Sequence, residues 1–177
     1  MKRQAVLFAV LCLSLAGCGY NQTNSSKNKF DPGYRWSSLY REDIQTVAVP
    51  IFTNKTFDRG VEFRLTEAVI KQLEAHAPYK VVPRERADTI LEGQITDVQY
   101  ASISRDYRTN MPREQQVQLT VDLLWKDLRN GRILLQRKGL QQQAVYYPTL
   151  GESRFIGSQG AVERFAVTIV QEMQADW

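Results

Sequence analysis

Residues 116–133 read QVQLTVDLLWKDLRNGRI, and this stretch holds the most regular pattern in the chain. Apolar side chains occupy every second position from Val117 to Trp125, namely Val117, Leu119, Val121, Leu123 and Trp125. Polar residues occupy most of the positions between them. Because successive side chains of a β-strand point to opposite faces of a sheet, the alternation predicts a strand with one buried and one mostly polar face.

The dipeptide Asn130-Gly131 follows this strand and precedes a second segment of strand-like composition. Asn-Gly is typical of two-residue hairpin loops, because both central residues of a type I′ turn have positive φ. We therefore predict that residues 116–128 pair antiparallel with residues 132–147. The second segment has no clear inward face, so the sequence leaves the register open.

Another long segment, TILEGQITDVQYASIS at 89–104, also alternates, but the parity of its apolar residues changes between Ile95 and Val98. One extra residue in a strand produces such a change, so a β-bulge is predicted near Thr96 and Asp97. Residues 105–114, RDYRTNMPRE, are polar and are predicted to form the loop between the two long strands.

Two segments show helical spacing. The first begins at Val61 and is predicted to end near His76, before Pro78. Its apolar stripe consists of Val61, Leu65, Ala68, Val69 and Leu73. The stripe of the second segment consists of Val162, Phe165, Ala166, Ile169, Val170 and Met173. Short β-branched runs at 44–50 and 79–83 predict two further strands, with a loop at 51–60.

These elements follow one another in the order β-α-β-β-β-β-α. Amphipathic helices and a sheet with one dry face pack most simply as two layers. We predict an α+β fold with two helices on one face of a mostly antiparallel sheet of four to five strands. The other face would carry the polar residues Gln116, Gln118, Thr120 and Asp122.

The N-terminal residues have the composition of a secretory signal peptide. Lys2 and Arg3 precede the apolar run AVLFAVLCLSLA, which is shorter than the about 20 residues that a membrane-spanning helix needs. The following Leu15-Ala16-Gly17-Cys18 resembles the lipobox of bacterial lipoproteins, in which cleavage falls before the cysteine and its thiol receives a lipid. The alternative is that Cys18 is an ordinary small residue near a signal peptide.

We therefore expect residues 1–17 to be the signal peptide and Cys18 to be the lipidation site. Residues 18–42 would then be the lipidated cysteine and a flexible tether, because they are polar and show no period. Residues 43–177 would form a single domain. The lipid would anchor the chain to a membrane without a spanning segment.

Composition excludes several classes of function. Cys12 leaves with the signal peptide and Cys18 carries the lipid, so no disulfide and no thiolate metal site is expected. His76 is the only histidine, and the chain has no nucleophile, nucleotide or phosphate-loop motif. The net charge of +4 falls to +2 without Lys2 and Arg3, which does not support nucleic-acid binding. We expect a non-enzyme with no cofactor besides the covalent lipid.

Two stretches carry a resemblance to a known family. VAVPIFTNKTFDRGVEFRLTEAVIKQL at 47–73 and YKVVPRERADTILEGQITDV at 79–98 resemble LptE, the family of lipopolysaccharide-assembly lipoproteins. The sequence GCGY at the lipobox is similar to that family as well. The likeness covers residues 44–100 and the leader.

The resemblance implies an outer-membrane lipoprotein, anchored on the periplasmic side by its lipid. It would sit inside the barrel of the assembly protein LptD and support insertion of lipopolysaccharide into the outer leaflet. The polar sheet face fits this role, because large membrane barrels have polar lumens.

Lipopolysaccharide carries phosphates, which arginine binds through charge-assisted bidentate hydrogen bonds. Arg105, Arg108 and Arg113 fall in the predicted loop between the long strands and are the candidate lipopolysaccharide-binding residues. The alternative is an exposed loop whose arginines are only solvated. Residues of the predicted hairpin tip form a second candidate, namely Lys126, Arg129 and Arg132.

Two other classes of protein fit the leader. One is a self-assembling lipoprotein that resembles the curli-secretion lipoproteins, which need long amphipathic strands for their own barrel. Here the helices would occupy the apolar strand faces, which disfavours this class. The other is an auxiliary solute-binding lipoprotein of a transport complex.

Overall fold

The structure is a computed structural model and describes residues 39–174. The strands are β1 (Thr46–Ala48), β2 (Thr53–Asn54), β3 (Lys80–Val81), β4 (Thr89–Arg105), β5 (Pro112–Asp127) and β6 (Ile133–Tyr146). The helices are α1 (Val61–His76) and α2 (Arg154–Glu172), with short 3-10 turns at Arg84–Arg86 and Pro148–Leu150.

The strands form one mixed sheet in the order β3-β1-β4-β5-β6, and β2 pairs with β4 beyond the end of β1. The long pairs β4-β5 and β5-β6 are antiparallel. The short pairs β1-β3, β1-β4 and β2-β4 are parallel. Parallel neighbours need a crossover connection, and α1 lies within the crossover from β1 to β3.

The core lies between the sheet and the two helices. One buried cluster contains the whole predicted inward face of β5 and residues of both helical stripes. All six apolar residues of the predicted α2 stripe are buried, whereas Ala68 of the α1 stripe is only partly buried. On the opposite sheet face, Gln116, Gln118, Thr120 and Asp122 are half-buried. The predicted α+β two-layer fold is confirmed.

The predicted number of four to five strands is slightly too low, because the sheet has six. The additional strand, β2, has two residues and lies within the predicted loop 51–60. It forms because the neighbouring side chains fix the chain here. The Phe52 N–H donates to the hydroxyl of Thr66 on α1 at 3.0 Å, and the Phe52 ring lies directly over Gly93 of β4.

The predicted bulge in β4 is confirmed, since the register with β5 shifts between Ile95 and Asp97. The predicted antiparallel hairpin of β5 and β6 is confirmed as well. The register that the sequence left open shifts twice, between Val121 and Leu123 and between Trp125 and Lys126. The first shift lies opposite Gly139. There Gly139 has φ +66° and donates its N–H to the Asp122 carboxylate at 2.7 Å.

The predicted type I′ turn is wrong. Gly131 has φ +72°, but Asn130 does not have positive φ. The Asp127 N–H donates to the Arg132 carbonyl at 2.8 Å, and Gly131 N–H donates to the Asp127 carbonyl at 2.9 Å. The hydrogen bond between Asp127 and Arg132 therefore closes a loop of four residues, 128–131, whereas a type I′ turn has two. The Asp127 carboxylate favours this longer loop, because it accepts hydrogen bonds from the Arg129 N–H and the Asn130 amide.

The predicted signal peptide and Cys18 lie outside the described residues, as does the predicted tether up to residue 38. Residues 39–42 of that tether are described and contact the domain. The ring of Tyr40 packs edge-on against Tyr79 with 5.7 Å between centroids, and the Arg41 N–H donates to the Tyr79 hydroxyl at 3.0 Å. Within residues 39–174, neither helix is long and apolar enough to cross a membrane.

Candidate functional site

The end of the sheet where β4 turns into β5 carries the three predicted arginines, and we call residues 103–113 the arginine tip. The connecting loop, 106–111, is shorter than the predicted loop 105–114. Arg105 is the last residue of β4 and Arg113 the second of β5, so their placement in a loop is wrong. Only Arg108 lies in the loop itself. Pairing of β4 with β5 continues to Arg105 opposite Pro112, which extends both strands.

Asp106 fixes the loop of the arginine tip. Its carboxylate accepts the N–H groups of Arg108 and Thr109 at 2.9 and 3.0 Å. Its own N–H donates to the Met111 carbonyl at 2.9 Å. The hydrogen bonds from Thr109 and Arg108 hold the pKa of Asp106 below its usual value. The loop is thus a defined turn that presents Arg108 outward.

The structure brings two of the three arginines together. Arg105 and Arg113 line one open cavity of about 350 Å³, which Tyr147 and Leu150 close from the turn after β6. Arg108 does not line this cavity, and its guanidinium lies 5.1 Å from the centre of the adjacent Tyr107 ring. The sequence could not reveal Tyr147 and Leu150, because only the folded hairpin places them beside β4.

Exposed apolar side chains surround these arginines. Tyr107 is 82% exposed and Leu150 77% exposed, and Ile103 and Met111 are also largely exposed. Within residues 39–174, none of the three arginines pairs with a carboxylate. Glu114 also lines the cavity, and Asp106 interacts electrostatically with Arg113, so the three arginines exceed the nearby carboxylates by one charge. Guanidinium groups without a salt bridge beside exposed apolar surface suit a ligand with anionic and apolar parts.

The second candidate, at the tip of the β5-β6 hairpin, is mostly neutralised. Lys126 Nζ lies 3.1 Å from a carboxylate oxygen of Glu92, and Arg129 pairs with Asp127 at 2.9 Å. Of this group, only Arg132 forms no ion pair with a carboxylate of the described chain. The arginine tip is therefore the better anion-binding candidate.

The two tips lie at opposite ends of the sheet. The chain enters the domain beside the β5-β6 tip, where Arg129 donates to the Asp43 carbonyl at 3.2 Å. Thr89, the first residue of β4, pairs with Asp127 at this same end. β4 then runs for 17 residues to the arginine tip, a distance of about 50 Å at ~3.3 Å per residue.

His76 is exposed at the last position of α1. No group of acidic, histidine or cysteine side chains within residues 39–174 could hold a metal ion.

A family model described as LptE, lipopolysaccharide-assembly, matches residues 44–176. The chain belongs to the LptE family. The match confirms the resemblance seen in residues 44–100 and extends it across β5, β6 and α2. LptE membership assigns the chain to lipopolysaccharide assembly, as an envelope lipoprotein of a non-enzymatic family. No curated protein sequence matches this LptE chain.

Several solved structures have a similar fold. The uncharacterized lipoprotein B of Nitrosomonas europaea is 13% identical, with 82% of this LptE chain and 92% of that chain covered and a TM-score of 0.53. PelC of Paraburkholderia phytofirmans, solved as a dodecamer, is 16% identical, with coverages of 78% and 96% and a TM-score of 0.50. A minor lipoprotein of Acinetobacter baumannii is 11% identical, with coverages of 74% and 93% and a TM-score of 0.48. At these identities the likeness concerns the fold alone.

Proposed function

We propose that the chain is the plug and assembly partner of an LptD-type outer-membrane barrel. A lipid on Cys18 holds it at the periplasmic side of the outer membrane, and its arginine tip binds lipopolysaccharide during insertion. The observation that carries this proposal is the arginine tip itself, where three guanidinium groups form no salt bridge and lie among exposed apolar side chains. It matches a ligand that has both phosphates and acyl chains.

The polar sheet face supports the plug role. Gln118 accepts a hydrogen bond from the Gln143 amide of the neighbouring strand at 2.8 Å, so glutamines of β5 and β6 form a polar surface. The lumen of a large outer-membrane barrel is polar. A polar sheet face can lie against it because the two surfaces can exchange hydrogen bonds.

The position of the arginine tip supports its contact with a transported ligand. The chain enters the domain at the other end of β4, close to the predicted tether. The arginine tip therefore lies about 50 Å along β4 from the point where the chain enters the domain.

The proposal is tested by extracting the native protein from membranes in mild detergent and identifying what co-purifies. A large outer-membrane barrel at a ratio near 1:1 is the expected result. A ring of identical chains would instead favour the self-assembling lipoprotein, and inner-membrane transporter subunits would favour the auxiliary solute-binding role.

The anchor is tested on the same preparation. The intact mass should correspond to a chain that begins at Cys18 and carries acyl groups, and Cys18→Ser should release the protein from membranes. A native chain that begins at Met1, or that leaves the membrane fraction unmodified, would contradict the proposed anchor.

A further inference from the structure

One edge of β4 is left without a partner where β2 ends. β2 pairs with β4 at Gln94 and Ile95, and the last bond on this side runs from the Lys55 N–H to the Ile95 carbonyl at 3.0 Å. From Thr96 onward, no strand within residues 39–174 pairs with this edge. Its backbone N–H and C=O groups are open to a further strand.

The central part of this free edge has little protection, because residues 98–102 read VQYAS, without a charged residue or proline. A bulge and Asp97 precede this segment, and the next bulge follows at Ile103. The outer edge of β6, in contrast, carries Arg137 and Lys138 beside a bulge at Gly139. Proteins usually guard exposed edges with charge, proline or bulges, because an unguarded edge recruits other strands.

A groove of about 930 Å³ opens at the point where β2 leaves the sheet. Loop 55–60 and the start of α2 form its walls, and residues 96–100 of β4 line it as well. The groove therefore lies directly beside the free edge, and we call the two together the edge groove.

Four basic side chains line the edge groove, namely Lys55, Arg59, Arg64 and Arg154. None of them pairs with a carboxylate of the described chain. Two are already held in place by aromatic rings. Arg64 lies 5.0 Å from the Phe155 ring centre and donates to the Ser158 hydroxyl at 2.9 Å, and Arg154 lies 4.8 Å from the Tyr100 ring centre.

The two carboxylates of the edge groove have other partners. Asp58 accepts the hydroxyl of Tyr100, and Asp97 accepts the Gln99 amide at 2.6 Å. Burial and the hydrogen bond to Asp58 raise the pKa of Tyr100, so its hydroxyl stays protonated and keeps donating at neutral pH. Four basic and two acidic side chains therefore line the edge groove, an excess of two positive charges.

We propose that the edge groove binds an extended, acidic segment of the barrel partner, which adds to β4 as a strand along residues 98–102. Main-chain hydrogen bonds to the free edge supply affinity, and the guanidinium groups that line the groove select acidic side chains, namely those of Arg59, Arg64 and Arg154. A small anion would satisfy the arginines but not the row of free backbone groups. This inference rests on the proposed function, because it takes the barrel as the partner.

The test uses the photoreactive amino acid p-benzoylphenylalanine at Ala101, which is exposed on the free edge. The matched control carries it at Gln141, which is exposed on β6. Both variants are irradiated in the native membrane complex, and the cross-linked peptides are identified by mass spectrometry. We expect the Ala101 variant alone to cross-link a barrel segment that contains aspartate or glutamate.

A charge reversal tests the role of the arginines. Arg59→Glu with Arg154→Glu should lower the Ala101 cross-link at least about fivefold, because it replaces attraction by repulsion. The control reversal, Arg84→Glu with Arg86→Glu, lies on an exposed turn and should leave the yield unchanged. Hydrogen exchange at residues 98–102 should also slow in the complex relative to the free protein, independently of any variant.

The outcomes separate the two proposals. Three results would overturn the edge-groove inference alone, provided that the barrel co-purifies. They are no cross-link from Ala101, a cross-link to a segment without acidic residues, and a cross-link to a second copy of this chain. A cross-link that persists in the charge-reversed variant overturns it as well. Absence of the barrel from the preparation overturns the proposed function, and this inference with it.

Discussion

Asp127, the last residue of β5, and Arg129, in the loop that follows, form a bidentate ion pair. The Asp127 residue is 2% exposed, and its two carboxylate oxygens accept Nε and Nη2 of Arg129 at 3.1 and 2.9 Å. The Arg129 side chain bonds the Asp43 carbonyl as well, so it joins the loop to the start of the domain. This arginine has a structural role and is not available to a ligand.

The ion pair predicts how stability depends on pH. The Arg129 hydrogen bonds lower the pKa of Asp127 to about 2, below the ~3.9 of an unfolded aspartate. A lowered native pKa stabilises the fold above the unfolded value, and this contribution is lost as the pH falls from about 4 toward 2. Asp127→Asn should therefore flatten the fall of Tm in this range, as measured by circular dichroism.

Glu74→Gln is the matched control for this prediction, because Glu74 is exposed on α1. Its Tm should follow the wild-type curve between pH 4 and 2. An equally steep fall in Asp127→Asn would show that the ion pair does not supply the pH dependence.

The contact of Gly93 with Phe52 predicts a sensitive position in the core. A Cβ at Gly93 would lie 2.5 Å from carbons of the buried Phe52 ring. Gly93→Ala should lower the free energy of unfolding by about 1–3 kcal/mol, the usual cost of overpacking. In Gly160→Ala the new Cβ would meet only Ala144 at 3.9 Å, so this helical control should be neutral or stabilising by up to ~1 kcal/mol. Equal urea midpoints for the two variants would contradict the prediction.

The hydroxyl of Thr66 joins the start of β2 to α1. It accepts the N–H of Phe52 at 3.0 Å and donates to the Glu62 carbonyl at 2.7 Å. Thr66→Val keeps the shape but leaves the buried Phe52 N–H without a partner, which should cost about 1–3 kcal/mol in urea denaturation. Thr168→Val, at a partly exposed position of α2, should cost less, and a larger loss there would count against this explanation.

Lipopolysaccharide binding should depend on the arginine tip. Replacing Arg105, Arg108 and Arg113 by glutamine should weaken binding about tenfold or more at low salt, with a smaller effect at high salt where exposed charges are screened. Fluorescence titration with labelled lipopolysaccharide measures this. Glutamine at Lys80, Arg84 and Arg86, which are exposed and belong to neither candidate site, removes the same charge elsewhere and should bind like the wild type. Unchanged binding by the first triple variant would remove the arginine tip from the proposed site.

Several elements could be predicted because their signals are local. The period of apolar residues predicted that α1 begins at Val61, and Pro78 predicted that it ends near His76. The change of parity between Ile95 and Val98 located the bulge in β4. Each of these features depends on residues only a few positions apart, so the chain encodes them without reference to distant contacts.

Other features depend on distant contacts. β2 has two residues and pairs with Gln94 and Ile95, so no period of its own marks it. The turn at Asn130 is different, because the Asp127 carboxylate that sets it lies only three residues earlier, and the Asn-Gly preference hid this local signal. The ion pair between Lys126 and Glu92 could not be predicted from the sequence either, because only pairing of β4 with β5 brings the two side chains together.

The sequence by itself determined the α+β class, the three long strands, both helices and the choice of arginines for the candidate site. The tertiary structure alone decided which arginines remain unpaired and which edge of the sheet stays free. The reason is physical: periodicity is a property of neighbouring residues, whereas ion pairing and strand pairing join residues that are brought together only by packing of the whole core.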